Sequence, residues 1–199
     1  MKHELPDELK FLANRKAPQK PFVAPLSGKV CVLTGATSGV GLSATRSLAS
    51  HGASLVLIAR NAQKADAVRK EIHDTWQVPV DVILADFADL EQVRAVAAEL
   101  IQNHPKIDVL INCAGMHATK RTWTPAGHET VFCVNHLASF LLTYLLIDHL
   151  KMNVPARILQ VNSEGHRFNG LDLEDLDWKK RHYTGLRSYG ASKTAQLLT

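Results

Sequence analysis

The chain has 199 residues, the length of a single domain. Hydrophobic residues make up 46% of it and charged residues 21%, a composition that excludes disordered and collagen-like chains. The formal net charge is only +4 and the basic residues are scattered, so no nucleic-acid partner is expected. The three cysteines show no CxxC spacing and the ten histidines no HExxH pattern, so neither a disulfide framework nor a metal site is expected.

Residues 1–27 form a polar leader with four prolines, in which the sequence allows a short helix over 7–14. The regular pattern begins at residue 28, which predicts an N-terminal extension over 1–27 and one domain over 28–199. The first residues are acidic and contain proline where a signal peptide needs an apolar run. The longest apolar stretch, Leu137–Ile147, is too short to span a bilayer. These features predict a cytoplasmic protein without a membrane span.

Short apolar runs alternate with helical patterns from residue 29 onward. The predicted strands are Lys29–Thr34, Ser54–Ala59, Val80–Ala85, Ile107–Ile111 and Arg157–Val161. The predicted helices are Gly39–His51, Ala62–Trp76 capped by Asn61, a helix from Asp89 to Asn103, Gly127–Lys151 and a last helix that Ser188 opens. Strands rich in Val, Ile and Leu between helices indicate parallel βαβ units. The sequence therefore predicts an α/β fold, a doubly wound parallel sheet of five strands with helices on both faces.

A glycine-rich turn lies between the first predicted strand and the first predicted helix. Its spacing, G-x3-G-x-G, differs from the GxGxxG fingerprint, but glycines at a helix N-terminus equally let backbone N–H groups approach a pyrophosphate. The absence of a following lysine excludes a GxxxxGK[ST] phosphate loop. A purely structural turn is the alternative. The candidate nucleotide-binding residues here are Gly35, Thr37, Ser38, Gly39, Val40 and Gly41.

Arg60 and Asn61 directly follow the second predicted strand, where an NAD-binding protein would place a carboxylate for the ribose 2′-hydroxyl. An arginine at this place can pair with a 2′-phosphate instead. A solvated arginine at a strand end is the alternative. The sequence therefore favours NADP(H) over NAD(H) as the cofactor.

Tyr189 and Lys193 lie four residues apart, on one face of the last predicted helix. An unperturbed tyrosine ionises near pH 10, so a fixed cation nearby would help it act as a general acid or base. Ser163 and the turn 112–115 follow the fifth and fourth strands, at the carboxyl edge where such sheets bind ligands. Asn135 lies inside a predicted apolar helix, where an amide is costly without a partner.

In order and spacing, the TGxxxGxG turn, the NxAG turn, the helical Asn, the Ser after a strand and the YxxxK pair resemble the short-chain dehydrogenase/reductase family over about residues 28–199. The stretches 132–137 and 188–193 are most similar to its retinol-dehydrogenase-like branch. The resemblance implies a Rossmann-type fold and an NAD(P)-dependent oxidoreductase. Such an enzyme interconverts a primary or secondary alcohol and a carbonyl compound by hydride transfer, and it can form a homodimer or homotetramer.

The resemblance also implies a role for each matching residue. Tyr189 would donate or accept the proton, and Lys193 would stabilise its phenolate and hold the nicotinamide ribose. Ser163 would hydrogen-bond the substrate oxygen, and Asn135 would anchor a water in a proton relay. Asp86 would hydrogen-bond the adenine. The other cofactor contacts that the resemblance implies are Phe87, Asn112, Ala114 and Gly115.

The chain stops at Thr199 inside a predicted helix, without a Gly, Pro or basic last turn to signal its end. Family members continue with two further strands and a segment that closes over the substrate. We therefore expect the domain to be incomplete at its C-terminus. The alternative to an enzyme is a non-catalytic, cofactor-binding or interaction module of this length.

Overall fold

The computed structural model describes residues 24–199, so a helix over 7–14 lies outside the described residues. Five strands form one sheet in the order β3-β2-β1-β4-β5, and all four pairings are parallel. The strands are β1 (Val30–Thr34), β2 (Ser54–Ala59), β3 (Val80–Leu84), β4 (Val109–Asn112) and β5 (Arg157–Gln160). The strand order reverses direction between β1 and β4, which opens a ligand-binding crevice at the carboxyl edge of such a sheet. The predicted fold class is confirmed.

Five helices surround the sheet within the described residues. They are α1 (Gly39–Ser50), α2 (Ala62–Trp76), α3 (Leu90–Asn103), α4 (Thr130–Lys151) and α5 (Gly185–Leu197). Asn61 and Asp89 cap α2 and α3, because their side chains accept hydrogen bonds from N–H groups of the first turn. A 3₁₀ turn, Glu164–Phe168, follows β5.

Two helices begin elsewhere than the sequence predicts. The start of α4 is Thr130 rather than Gly127, because the Glu129 carboxylate caps it and Gly127 has a φ of 83°. The start of α5 is Gly185 rather than Ser188, because the Thr184 hydroxyl accepts a hydrogen bond from the first turn.

The interior of α4 is not a regular α-helix. A short α-helical turn, Thr130–Phe132, leads into a π-helical turn, Cys133–Leu137, before the α-helix continues as Ala138–Lys151. π-helical turns inside α-helices are found frequently at functional sites. The turn contains Asn135, so the irregular backbone coincides with a residue that the sequence singled out.

The sheet is covered on both faces because alternate strand residues point to opposite sides. On one face, Val32 and Leu110 pack with Leu142 and Leu146 of α4 and with residues of α3. On the other face, Leu33 and Leu57 pack with residues of α1 and α2. Packing on both faces therefore fixes the carboxyl ends of the strands, from which the loops that form the site extend.

By length and composition alone α4 could cross a membrane, since its 22 residues include a window of mean hydropathy 1.8. This helix is longer than the apolar stretch Leu137–Ile147 that the sequence analysis judged too short to span a bilayer. Half of that window is buried inside the protein, where Leu142 and Leu146 are fully covered. Core helices of soluble proteins have the same character.

Candidate active site

Glycines allow the β1–α1 turn to lie directly against its neighbours. A Cβ atom on Gly35 would lie 2.8 Å from the Cα of Ala114, and one on Gly41 would lie 2.2 Å from the carbonyl oxygen of Gly35. Gly35 and Gly39 also have φ angles of 68° and 51°, which glycine adopts at little cost. Gly35 and Gly41 therefore leave no room for a side chain, and a positive φ favours glycine at Gly39.

The turn after β4 is bound to the glycine turn by Thr34. Its hydroxyl oxygen accepts hydrogen bonds from the backbone N–H groups of Cys113 (3.0 Å) and Ala114 (2.9 Å). The side chain of Asn112 is fully buried beneath this turn, and its amide donates to the hydroxyl of Thr143 (2.8 Å). Asn112 lines neither of the cavities described below, and its side-chain oxygen has no hydrogen-bond partner among the described residues, so its predicted cofactor contact stays a prediction.

A first cavity of about 210 Å³ opens at the carboxyl edge of β1, β2 and β3. Nine residues predicted to bind the cofactor line it. They are Gly35, Thr37, Ser38, Arg60, Asn61, Asp86, Phe87, Ala114 and Gly115. Sequence reasoning missed the six other lining residues, Ile58, Ala59, Lys64, Ala85, Met116 and Val134. The position of Lys64, one turn into a helix capped by Asn61, was the available signal for it.

The outer end of the first cavity carries positive charge. Arg60 is exposed and forms no ion pair with any of residues 24–199, and Lys64 lines the same space. The carboxylate of Asp86 accepts a hydrogen bond from the backbone N–H of Ala88 (3.0 Å), which shapes the loop after β3. Asn61 is occupied as a helix cap, because its oxygen accepts from the N–H of Lys64 (2.9 Å). Two cations and one carboxylate thus border this end.

A second cavity of about 640 Å³ contains the remaining residues of the glycine turn together with the predicted catalytic groups. Ser163, Tyr189 and Lys193 line it, as do Gly39, Val40 and Gly41. Both cavities share Gly35, Ser38, Gly115 and Met116 in their linings, so they adjoin along the sheet edge. Asn135, the fourth predicted catalytic residue, lines neither of them.

Lys193 is held rigidly beside Tyr189. Its ammonium nitrogen lies 5.8 Å from the centre of the Tyr189 ring and donates hydrogen bonds to the carbonyl of Val161 (3.1 Å) and the side chain of Gln196 (2.8 Å). Only 5% of Lys193 is exposed, and this burial lowers the pKa of its amine. The cation is therefore fixed in place, without a carboxylate among the described residues to neutralise it.

Two glycines that the sequence analysis did not single out bring Tyr189 next to Ser163. A Cβ atom on Gly165 would lie 2.8 Å from Cε1 of Tyr189, and one on Gly190 would lie 2.9 Å from the carbonyl oxygen of Gly165. The hydroxyl oxygen of Ser163 accepts from the N–H of Gly165 (3.1 Å). No local pattern reveals this pair, because the glycines are distant in the sequence and meet only where α5 packs on the 3₁₀ turn.

Asn135 is fully buried and bonded to the surroundings of the cavity. Its side-chain oxygen accepts from the N–H of Met116 (2.7 Å), and its amide donates to the carbonyl of Met116 (3.0 Å) and the hydroxyl of Ser192 (2.9 Å). The costly amide therefore has its partners, and it ties the loop after β4 to α5. The predicted water contact of Asn135 stays a prediction.

Comparisons with known proteins agree with this arrangement. The family model described as short chain dehydrogenase matches residues 29–173. Human retinol dehydrogenase 13 is 37% identical over 179 residues, which cover 89% of this chain and 54% of that protein. Mouse retinol dehydrogenase 12 is 39% identical over 174 residues, which cover 87% of this chain and 55% of that protein. The chain thus spans about half the length of the curated relatives it matches.

Solved structures show the same fold. A crystal structure of a Mycobacterium paratuberculosis protein has a TM-score of 0.74 and 33% identity, and covers 88% of this chain and 61% of its own. A Shigella flexneri short chain dehydrogenase complexed with NADP has a TM-score of 0.68 at 22% identity, which indicates the fold alone. The family match over most of the chain and the retinol dehydrogenase relatives show that the chain belongs to the short-chain dehydrogenase family, in its retinol-dehydrogenase-like branch.

Proposed function

We propose that the protein is an oxidoreductase that uses NADP(H) in preference to NAD(H) and interconverts a primary or secondary alcohol and its carbonyl counterpart. The observation that carries this proposal is the meeting of Tyr189, Lys193 and Ser163 in one cavity that adjoins the glycine turn. Family membership supports the same class of reaction. When bound, the nicotinamide cofactor supplies the hydride chemistry, and the protein supplies binding, orientation and proton transfer.

The glycine turn fits a dinucleotide. The close approach of backbone at Gly35 and Gly41 keeps the turn compact, and Gly35 and Gly39 border the adjoining cavities without a side chain that would fill them. Ser38, the N-cap residue of α1, makes no side-chain capping hydrogen bond to the helix. The first N–H groups of α1 therefore remain available to phosphate oxygens, which the helix dipole also favours.

The preference for NADP(H) rests on charge. Arg60 and Lys64 border the first cavity at the end of β2 and the start of α2. A guanidinium forms paired, charge-assisted hydrogen bonds with a phosphate, and a second cation adds to the attraction. The 2′-phosphate distinguishes NADP(H) from NAD(H), so these two side chains would hold the group that differs.

The proton would move at the hydroxyl of Tyr189, which would donate it to the carbonyl oxygen in reduction and accept it from the alcohol in oxidation. Lys193 provides a fixed positive charge beside the ring that stabilises the phenolate. The oxygen of Ser163 accepts from the N–H of Gly165, which leaves its hydroxyl proton for the substrate oxygen. Asn135 holds Met116 and α5 in register around this cavity.

Replacing Tyr189 by phenylalanine tests the proposal. We expect the Tyr189→Phe protein to lose turnover of alcohols and carbonyls while it keeps its affinity for NADPH. Thermal unfolding with and without NADPH measures that affinity, because a ligand at 100 times its dissociation constant adds about 2.7 kcal/mol to stability. Unchanged turnover would refute the role of Tyr189. If the unmodified protein is stabilised by NADPH but turns over no alcohol or carbonyl compound, the non-catalytic module is favoured instead.

Three further expectations from the sequence stay predictions. They are a cytoplasmic location, a homodimer or homotetramer, and a single catalytic domain over 28–199 that follows an extension over 1–27. The substrate itself would be a small-molecule alcohol or carbonyl compound.

A further inference from the structure

Glu129 is a fully buried carboxylate that contacts the starts of both α4 and α5. Its Oε1 atom accepts from the N–H of Val131 (2.9 Å) and from the hydroxyl of Tyr183 (3.4 Å). Its Oε2 atom accepts from the N–H of Phe132 (2.8 Å) and from the hydroxyl of Ser188 (3.0 Å). A buried charge is costly unless it is paired or hydrogen-bonded in this way. Two of the four bonds cap α4, and two reach the segment that enters α5.

Ser188 directly precedes Tyr189, so the hydrogen bond that Ser188 donates to Glu129 lies one residue away from the proposed acid/base. Ser188 and Ser192 lie four residues apart, and each binds α4: Ser188 through Glu129 and Ser192 through the amide of the π-helical turn. Tyr189 and Lys193 form the neighbouring row, which lines the second cavity. One row of α5 therefore fastens the helix, and the adjacent row carries the reactive groups.

We propose that Glu129 is a positioning residue, which through Ser188 fixes the rotation of α5 that directs Tyr189 into the second cavity. This inference rests on the proposed function, because only that function makes Tyr189 the acid/base. A carboxylate suits the task because it accepts hydrogen bonds from the N–H groups of α4 and from a hydroxyl of α5 at once. A neutral amide has one accepting oxygen, and its NH₂ group would face donors.

Two substitutions break the contact from opposite ends. Ser188→Ala removes only the hydroxyl, whereas Glu129→Asp keeps the charge and remains a good helix cap but is one methylene shorter. An aspartate therefore cannot hold α4 and Ser188 together. We expect each change to lower kcat by about 10²-fold, the loss that a misplacement of about 1 Å causes. Both variants should still bind NADPH, since Glu129 and Ser188 line neither cavity and the glycine turn, Arg60 and Lys64 lie on other elements.

The double variant and a matched control distinguish positioning from simple support of the fold. The protein with both Glu129→Asp and Ser188→Ala should lose no more kcat than either single variant, because both remove the same contact. Thr184→Ala removes another hydroxyl at the start of α5, which within residues 24–199 accepts a single hydrogen bond, from the N–H of Arg187. This control should keep its kcat. Unchanged kcat in both contact variants, an equal loss in Thr184→Ala, or independent losses in the double variant would overturn the proposal.

A spectroscopic measurement separates failure of this proposal from failure of the proposed function. The chain has three tyrosines, so labelling with ¹³C at tyrosine Cζ gives three NMR signals, which Tyr→Phe variants assign. The Tyr189 signal should move in both contact variants, while that of Tyr144, 67% exposed on α4, should not. Absence of turnover in the unmodified protein would refute the proposed function. A Tyr189 signal that stays in place would refute positioning by Glu129 whether or not turnover occurs.

Discussion

Gly165 lies against the ring of Tyr189, and we predict that replacing it by alanine lowers kcat without weakening cofactor binding. The added Cβ atom would lie 2.8 Å from Cε1 of Tyr189 and 3.0 Å from Cδ1. Non-bonded carbon atoms pack at about 3.5–4.0 Å, so ring and methyl group must separate by roughly 0.7 Å or more. A misplacement of about 1 Å costs about 10²-fold in rate, so we expect kcat to fall by about 10- to 100-fold.

The assay compares three quantities in Gly165→Ala and the unmodified protein: kcat, the NADPH dissociation constant and the free energy of unfolding in urea. Gly170→Ala is the matched control. Gly170 lies in the segment that follows the same 3₁₀ turn, its φ is not positive, and a Cβ atom there would meet none of the described residues within 4 Å. We expect this control to resemble the unmodified protein in all three measurements.

An unchanged kcat in Gly165→Ala would refute the reasoning, because it would show that the reaction tolerates a displaced Tyr189 ring. A parallel loss of NADPH affinity would refute it as well, since the methyl group would then disturb more than the ring. An equal loss of kcat in Gly170→Ala would show that the whole segment, rather than the contact with Tyr189, controls the rate.

Two further predictions concern charge. Arg60→Ala should weaken NADPH binding by about 10- to 100-fold and leave NADH binding unchanged, because a hydrogen bond to a charged group contributes about 1.5–3 kcal/mol. Arg69→Ala is the control: Arg69 is exposed and paired with Asp66 (2.6 Å) outside the first cavity, so this variant should bind both cofactors like the unmodified protein. Equal losses of NADPH and NADH affinity in Arg60→Ala would contradict the assignment. Burial lowers the pKa of His136, so below about pH 6.5 the unfolded chain takes up its proton first and the free energy of unfolding falls as the pH falls. His136→Leu should flatten this slope in urea titrations between about pH 7 and 5, and an identical slope would refute the link to His136.

Local sequence patterns determined much of the fold and part of the candidate site. Strand β2 and helix α2 have the predicted bounds, since apolar runs, periodicity and the cap at Asn61 are properties of neighbouring residues. The glycine turn was predictable because its spacing lies within one segment. Tyr189 and Lys193 were predictable as a pair, because a helix brings residues four apart onto one face.

Only the tertiary structure decided which distant residues meet around those patterns. The approach of Gly165 to Tyr189, the hydrogen bond from Ser188 to Glu129 and the hydrogen bond from Asn135 to Ser192 each depend on how α5 packs against other elements. The motif that contains Asn112 was visible in the sequence, but the burial of its side chain and its hydrogen bond to Thr143 were not. Such contacts join residues far apart in the chain and form only when folding brings them together. Their contribution to stability depends on burial away from water, which a single segment does not encode.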